Sequence, residues 1–342
     1  MAQEKIVILG TGGTIAGQAQ NSTQGVGYKA GQISVAGLLA AVPDLSQLAA
    51  GRTGAVLDAL QIAQIDSKDM DWPVWRSLLQ AVKAGLEDTA TRALVITHGT
   101  DTLEETAWLL QAVLQPTKAV VLTCAMRPAT SLQADGPQNL RDAVAVAAGD
   151  VPGVWVVAAG EVHAAREVLK VHPYRLNALR SYEGGPCAYV EESRVRWLGR
   201  AAVQYPGWTA ARLEQLLACE ELPWVEIVQS GSLQSARAVQ ALLAAGVQGL
   251  VVAGTGNGTI HQAMEQALLQ ARAQGVSVWY STRCLEGQLV GLPVGQGVPA
   301  VQASSHEIAA HVIQVEAEGG LDAVLLPPSK ARIAMMLQLA CY

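Results

Sequence analysis

Phenylalanine is missing altogether from the 342 residues, and Trp and Tyr together bring the aromatics to only 4%. Apolar volume therefore falls to Ala, Val and Leu, which suits helices packed closely on a sheet. Charge is sparse at 15%, and there is no basic excess: the net charge is −6 and the pI about 5.6. Phosphate binding needs a Lys/Arg surplus, so nucleic acid is excluded as the main partner. No apolar run approaches the roughly 18 residues of a membrane span, so no membrane partner is expected. The five cysteines (Cys124, Cys187, Cys219, Cys284, Cys341) are odd in number, scattered and without a C-x-x-C pair. They read as reduced thiols in a cytosolic protein, not as a metal cage or a disulfide frame. The apolar run Ile6–Leu9 is too short for a signal-peptide core, and glycines follow it where a cleavage site would stand. The expected location is the cytoplasm.

What is present is a globular composition, 50% hydrophobic, in a chain long enough for two α/β domains. Short apolar runs (Ile6–Leu9, Leu94–Thr97, Ala119–Thr123, Val154–Ala158) alternate with helical stretches (Val35–Ala41, Val74–Ala84, Glu104–Leu114, Leu140–Ala148). Wholly apolar strands between amphipathic helices indicate a mostly parallel sheet flanked by helices. The rhythm breaks between residues 194 and 222, with three arginines in seven residues and a Tyr205-Pro206-Gly207-Trp208 turn. Residues 1–193 are therefore read as a larger N-terminal domain, 194–222 as a linker and 223–342 as a smaller α/β domain. In the last, strands Val225–Val228, Leu250–Ala253 and Val276–Tyr280 alternate with helices Ala236–Ala245, Ile260–Gln274 and Lys330–Leu339.

A glycine-rich turn, Gly10-Thr11-Gly12-Gly13-Thr14-Ile15-Ala16-Gly17, follows the first strand at once. A dinucleotide fingerprint would need glycine where Ile15 stands, and a P-loop would need Lys and Ser/Thr where Gln18 and Ala19 stand. Two readings stay open: a bare structural turn, or a site in which a hydroxyl of Thr11 or Thr14 is the nucleophile. A threonine hydroxyl is weak unless a base takes its proton and N–H donors hold the oxyanion.

A second cluster, His98-Gly99-Thr100-Asp101-Thr102-Leu103-Glu104-Glu105-Thr106, follows the strand Leu94–Thr97. Thr102 with Glu105 three residues on reads as a capping box. That leaves Thr100 and Asp101 at a strand's carboxyl end, where open α/β sheets bind ligands; they are turn residues or the site's acid and second hydroxyl. Lysine is scarce, seven in all, and Lys170 is either a solvated charge or a base for a hydroxyl. His98 has no partner at metal spacing and reads as structural.

Taken in order, these segments resemble the bacterial-type L-asparaginase family. The resemblance rests on Thr11–Gly17, Asp66-Ser67-Lys68-Asp69-Met70, Thr97–Thr106, Ala125-Met126-Arg127-Pro128 with Ala134–Pro137, Gly254–Gly258 and Lys330-Ala331-Arg332. It implies a flavodoxin-like C-terminal α/β domain and a hydrolase that turns L-asparagine into L-aspartate and ammonia, with no cofactor and no metal. Thr14 would form the acyl-enzyme, and Tyr28 would belong to the loop that closes over the substrate. Asp66 and Ser67 would help bind the substrate, Ser67 at its α-carboxylate, and Asp101 would take its α-ammonium. Thr100, Asp101 and Lys170 would activate a second hydroxyl or a water, and the Ala125 carbonyl would hold the amide nitrogen. Arg127 and Asp135 would tie down the Ala125 loop. Self-association as a homodimer or homotetramer is implied as well.

Three positions and one stretch depart from the family pattern: Cys124 in place of glycine, Lys68 where glutamine is common, Thr259 where some members have asparagine, and a poor match from Leu289 to Gln302. Glu286 is the candidate for an acidic residue lent to a neighbouring subunit. Competing readings are a glutaminase-asparaginase of broad specificity, the amidohydrolase subunit of a tRNA-dependent amidotransferase, and a non-catalytic amino acid sensor. The position of the first motif disfavours the amidotransferase subunit, and a nucleophile together with a base disfavours the sensor.

Overall fold

The structure, a computed structural model, describes residues 3–23, 25–199, 208–290, 315–316 and 321–341. It divides into two compact units, residues 1–204 and 205–342.

The first unit runs β1 (Lys5–Gly12), α1 (Val35–Ala40), α2 (Leu45–Thr53), β2 (Val56–Ile65), α3 (Trp72–Glu87), β3 (Thr91–Thr97), α4 (Leu103–Leu114), β4 (Ala119–Thr123), α5 (Gly136–Ala147) and β5 (Gly153–Ala158). Five shorter strands follow: β6 (Glu161–Ala164), β7 (Val168–Lys170), β8 (Leu179–Ser181), β9 (Ala188–Glu191) and β10 (Arg194–Trp197). The eight-stranded sheet has the order β10-β9-β6-β5-β4-β3-β1-β2, and β7 pairs with β8 in a separate hairpin. Strands β1 to β5 are parallel, whereas β6, β9 and β10 add an antiparallel extension. From β1 the chain crosses to one side for β2, then returns past β1 to lay down β3, β4 and β5. The switch point of the sheet therefore lies between β1 and β3, whose carboxyl ends open a crevice.

The helices follow from local chemistry. The Asp71 side chain accepts from the Val74 N–H at 3.0 Å and caps α3, Pro73 sits in its first turn, and Trp72, Trp75, Leu78, Leu79 and Val82 fall on its buried face. In α5 the run Ala143–Ala147 is wholly buried among β-sheet side chains. Small residues let this helix lie close to the sheet, and the core it closes holds one large buried aromatic, Trp155, among Ala, Val, Ile and Leu side chains. The antiparallel strands beyond β5 and the long edge strand β2 carry little of the unbroken apolar signature of a central strand. Alternate residues of β2 (Val56, Asp58, Leu60) are exposed.

The second unit runs α6 (Ala210–Ala218), β11 (Val225–Gln229), α7 (Arg237–Ala244), β12 (Gly249–Gly254), α8 (Gln262–Ala273), β13 (Ser277–Thr282), β14 (Val315–Glu316), β15 (Asp322–Ala323) and α9 (Pro328–Ala340). Its sheet has the order β11-β12-β13-β15-β14, parallel except for the last pair. The 2-1-3-4-5 order of flavodoxin belongs to the parallel strands of the first unit, whereas the second is laid down almost in chain sequence. Within the expected linker, Arg194–Trp197 pairs with β9 and Ala210–Ala218 is helical. The turn read at residues 205–208 lies, except for Trp208, outside the described residues, as does most of Leu289–Gln302.

Candidate functional site

Four neighbouring strands end on the same side of the sheet and deliver the motifs together: β2 leads to Ser67, β1 to Thr14, β3 to Thr100 and β4 to Ala125. The glycines between them have a steric purpose. Gly12 and Gly13 have φ of +105° and +79°, where side chains are strained. A Cβ on Gly13 would lie 2.3 Å from Gly99 Cα, and one on Gly99 would lie 2.4 Å from Ser67 Oγ. Gly13 and Gly99 thus meet backbone to backbone while the Ser67 side chain packs against Gly99, an approach that only glycine permits.

Thr14 opens a short 3-10 turn and is buried, only 6% exposed, with its Oγ1 2.5 Å from the Tyr28 hydroxyl. Thr11 is the structural member of the pair: its hydroxyl donates to the Thr97 carbonyl at 3.0 Å. Burial pushes the Tyr28 phenol above its usual value, the bond to Thr14 opposes this, and the nearby carboxylates of Asp66 and Asp101 raise it further. Tyr28 therefore holds its proton at neutral pH and exchanges hydrogen bonds with Thr14 instead of standing as a base.

Across the crevice, the Lys170 Nζ donates to Thr100 Oγ1 at 2.8 Å and pairs with Asp101 Oδ1. Thr100 also reaches Asp101 Oδ1 at 3.5 Å, which completes a three-membered polar group. Ser67 Oγ accepts from the Asp101 N–H at 3.2 Å, so the carboxylate-binding candidate and the ammonium-binding candidate are joined directly. Lys68, in contrast, turns to Asp69 at 2.5 Å in an exposed pair, and Asp66 caps the Ser67 turn through the Lys68 N–H at 3.4 Å.

Thr102 corrects a sequence expectation. It is the residue before α4, but its hydroxyl donates to the Ser67 carbonyl at 2.8 Å and makes no cap bond. The tertiary partner across the strand ends wins over the local one. His98 is structural, as read: fully buried, with Nδ1 2.7 Å from the Gly99 carbonyl and Nε2 2.9 Å from Thr106 Oγ1. A carbonyl can only accept, so Nδ1 carries the proton and Nε2 accepts from Thr106, which itself accepts from the Trp75 indole at 2.9 Å. Burial keeps this imidazole neutral, with a pKa lowered to about 4.

The loop after β4 is held from beneath. Asp135 accepts from the Met126 and Arg127 N–H groups, each at 2.9 Å, and Asn139 donates to the Cys124 carbonyl at 2.9 Å. Ala125 is thereby fixed as buried backbone. Cys124 packs beside it as a buried thiol whose pKa burial pushes up, consistent with packing alone.

Glu104 is the residue that local reading missed. Its Oε2 accepts from the Lys170 N–H at 2.6 Å, which ties the β7–β8 hairpin to the first turn of α4. In sequence it was only an acid in a helix's first turn, complementing the dipole; its partner stands 66 residues away. Among the described residues no group of three His, Cys, Asp or Glu side chains could hold a metal, and no helix is long and apolar enough to cross a membrane. The cofactor-free expectation concerns the chemistry of the donors, which are hydroxyls, a carboxylate and an amine.

Comparison with known proteins converges on one family. The asparaginase N-terminal model matches residues 5–203 and the glutaminase/asparaginase C-terminal model residues 224–342. A Haemophilus influenzae protein named probable periplasmic L-asparaginase is 39% identical over 82% of this chain and 78% of its own. L-asparaginase 2 of Escherichia coli is 36% identical over 84% and 80%, and the glutaminase-asparaginase of Pseudomonas fluorescens 35% over 83% and 77%. The crystal structure of a probable cytoplasmic L-asparaginase from Campylobacter jejuni superposes with a TM-score of 0.81 at 32% identity, covering 99% of this chain and 96% of that one. With both family domains matched in chain order and relatives aligned over most of its length, the chain belongs to the asparaginase family.

Proposed function

We propose that this protein hydrolyses L-asparagine to L-aspartate and ammonia through a threonine ester. The observation that carries the reading is the convergence of two hydroxyls at one switch point, each paired with a proton-handling group: Thr14 with Tyr28, Thr100 with Lys170. In the first step Thr14 Oγ attacks the side-chain amide carbon, its proton passes through Tyr28 to the amide nitrogen, and ammonia leaves as the ester forms. In the second, a water attacks the ester, its proton passes through the Thr100 hydroxyl to the Lys170 side, and the ester oxygen regains a proton as aspartate departs.

The substrate brings one cation, one anion and one amide. Asp101 suits the ammonium. Ser67, whose Oγ already accepts from the Asp101 N–H, keeps its own proton for the carboxylate, with Asp66 beside it. The Ala125 carbonyl would take the amide N–H.

A glutaminase-asparaginase remains the second reading, favoured by relatives of that name. Ammonia release from L-asparagine and L-glutamine, measured side by side, decides between the two; release from neither overturns both. The free thiols favour the cytoplasm, which cell fractionation checks. Assembly into dimers or tetramers accords with the exposed apolar residues Val56 and Leu60 on the edge strand, and sedimentation of the pure protein tests it.

A further inference from the structure

Thr14 is nearly sealed beneath Tyr28, so the segment Gly25–Gly31 must move aside for an amide to reach the hydroxyl. Something must then return it to the same place. At the Thr14 end the segment is held by the paired backbones of Gln18 and Lys29 and by the Gly31 N–H donating to Gly13 O at 3.1 Å. Nearer Gly25 the hold is different. A Cβ on Gly25 would lie 2.9 Å from the Tyr174 hydroxyl and 3.4 Å from Arg127 Cδ, so this backbone rests directly on that pair. Past it, Gly27 has open space around it and Val26 is exposed.

The pair is itself rigidly built. The Arg127 guanidinium lies 3.8 Å over the Tyr174 ring, and its Nη1 donates to the Tyr174 carbonyl at 2.7 Å. Pro173 stiffens the turn, and His172 Nδ1 accepts from the N–H groups of Tyr174 and Arg175 at 2.9 and 3.0 Å. That turn is the tip of the β7–β8 hairpin, whose near end is Lys170. Arg127 in turn belongs to the loop that presents Ala125.

We propose that Tyr174 is a positioning residue: it latches the Tyr28 segment closed over Thr14 and joins that closure to the hairpin carrying Lys170. One side chain thereby registers the nucleophile's cover against the second hydroxyl's base. The inference rests on the amide-hydrolysis reading above.

The test is hydrogen exchange of the amides of residues 25–31 alongside steady-state kinetics on L-asparagine. Tyr174→Ala is expected to speed that exchange about tenfold and to raise KM by a similar factor, with a smaller fall in kcat. Tyr174→Phe, which keeps the ring on Arg127 but loses the hydroxyl nearest Gly25, is expected to fall between wild type and Tyr174→Ala in both. Gly25→Val reaches the same end from the other side, and added to Tyr174→Ala it costs little more, because the two act on one contact. Unchanged exchange at residues 25–31 in Tyr174→Ala overturns the latch. Exchange needs no turnover, so a protein releasing no ammonia would sink the hydrolase reading while the exchange result still decides the latch.

Discussion

The two units carry threonine-glycine loops at the carboxyl ends of parallel strands, and they use the hydroxyls in opposite ways. In the second unit, the hydroxyls of Thr255 and Thr259 lie 2.7 Å apart, and each also reaches the other's carbonyl at 3.0 Å. Asn257 both donates to and accepts from the Val290 backbone. That loop consumes its polar groups in holding itself together. In the first unit, Thr14 and Thr100 face a phenol and an amine with protons to move. The same residue type in the same topological position is a staple in one sheet and, on the function proposed above, a reagent in the other, the difference being the partner supplied from elsewhere in the chain.

The largest expected effect removes the reagent side of that contrast. Thr14→Ala and Thr100→Val each lower kcat/KM by at least about a thousandfold, while the melting temperature stays near that of wild type. Thr255→Val should do the reverse, lowering the melting temperature with turnover retained; a turnover loss matching that of Thr14→Ala would erase the distinction.

Next is the amine. Lys170→Met should slow turnover by about 10²–10⁴-fold, and Lys170→Arg should not restore it, because a guanidinium cannot give up its proton. Near-normal kcat in Lys170→Met would remove this residue from the mechanism.

A smaller loss, about tenfold in kcat, is expected of Glu104→Ala, because the Lys170 backbone loses its anchor; Glu104→Gln, which can still accept that N–H, should recover most of it. Equal losses in the two variants would mean that the charge of Glu104, not the anchor, matters.

The smallest effect concerns stability. Asp142 is buried on α5 with Gln138 donating to it at 2.8 Å, and burial raises its pKa to about 6. Between the ordinary carboxyl value and about pH 6, the folded state holds a proton that the unfolded state has lost, so this group's contribution to stability falls as pH rises through that window. Asp142→Asn should therefore be more stable than wild type by about 1 kcal/mol at pH 8, and equal to it near pH 4, in urea titrations. His98 works with the opposite sign: its depressed pKa makes wild type lose stability as pH falls from about 6.5 toward 4.

Much of the fold was legible because central parallel strands advertise themselves. Ala119–Thr123 was read with its observed limits, and Leu94–Thr97 differs only by an earlier start at Thr91. The edge strand β2 and the short strands from β6 to β10 went unread, since a strand buried on one face or only three residues long carries no unbroken apolar run. The capping box at Thr102 was well formed by local rules, and the Ser67 carbonyl overrode it.

By itself, the sequence determined the α/β class, the two glycine-flanked hydroxyl motifs and the family resemblance, because these depend on residue type and short spacing. Tertiary structure alone decided which hydroxyl has which partner. Thr11 and Thr14 stand three residues apart, yet one bonds a strand carbonyl and the other a phenol. Glu104 meets Lys170, and Tyr174 meets Gly25, across separations of chain that no local pattern spans. The reason is physical: a hydroxyl's chemistry is set by the group within 3 Å of it, and the folding of the sheet chooses that group.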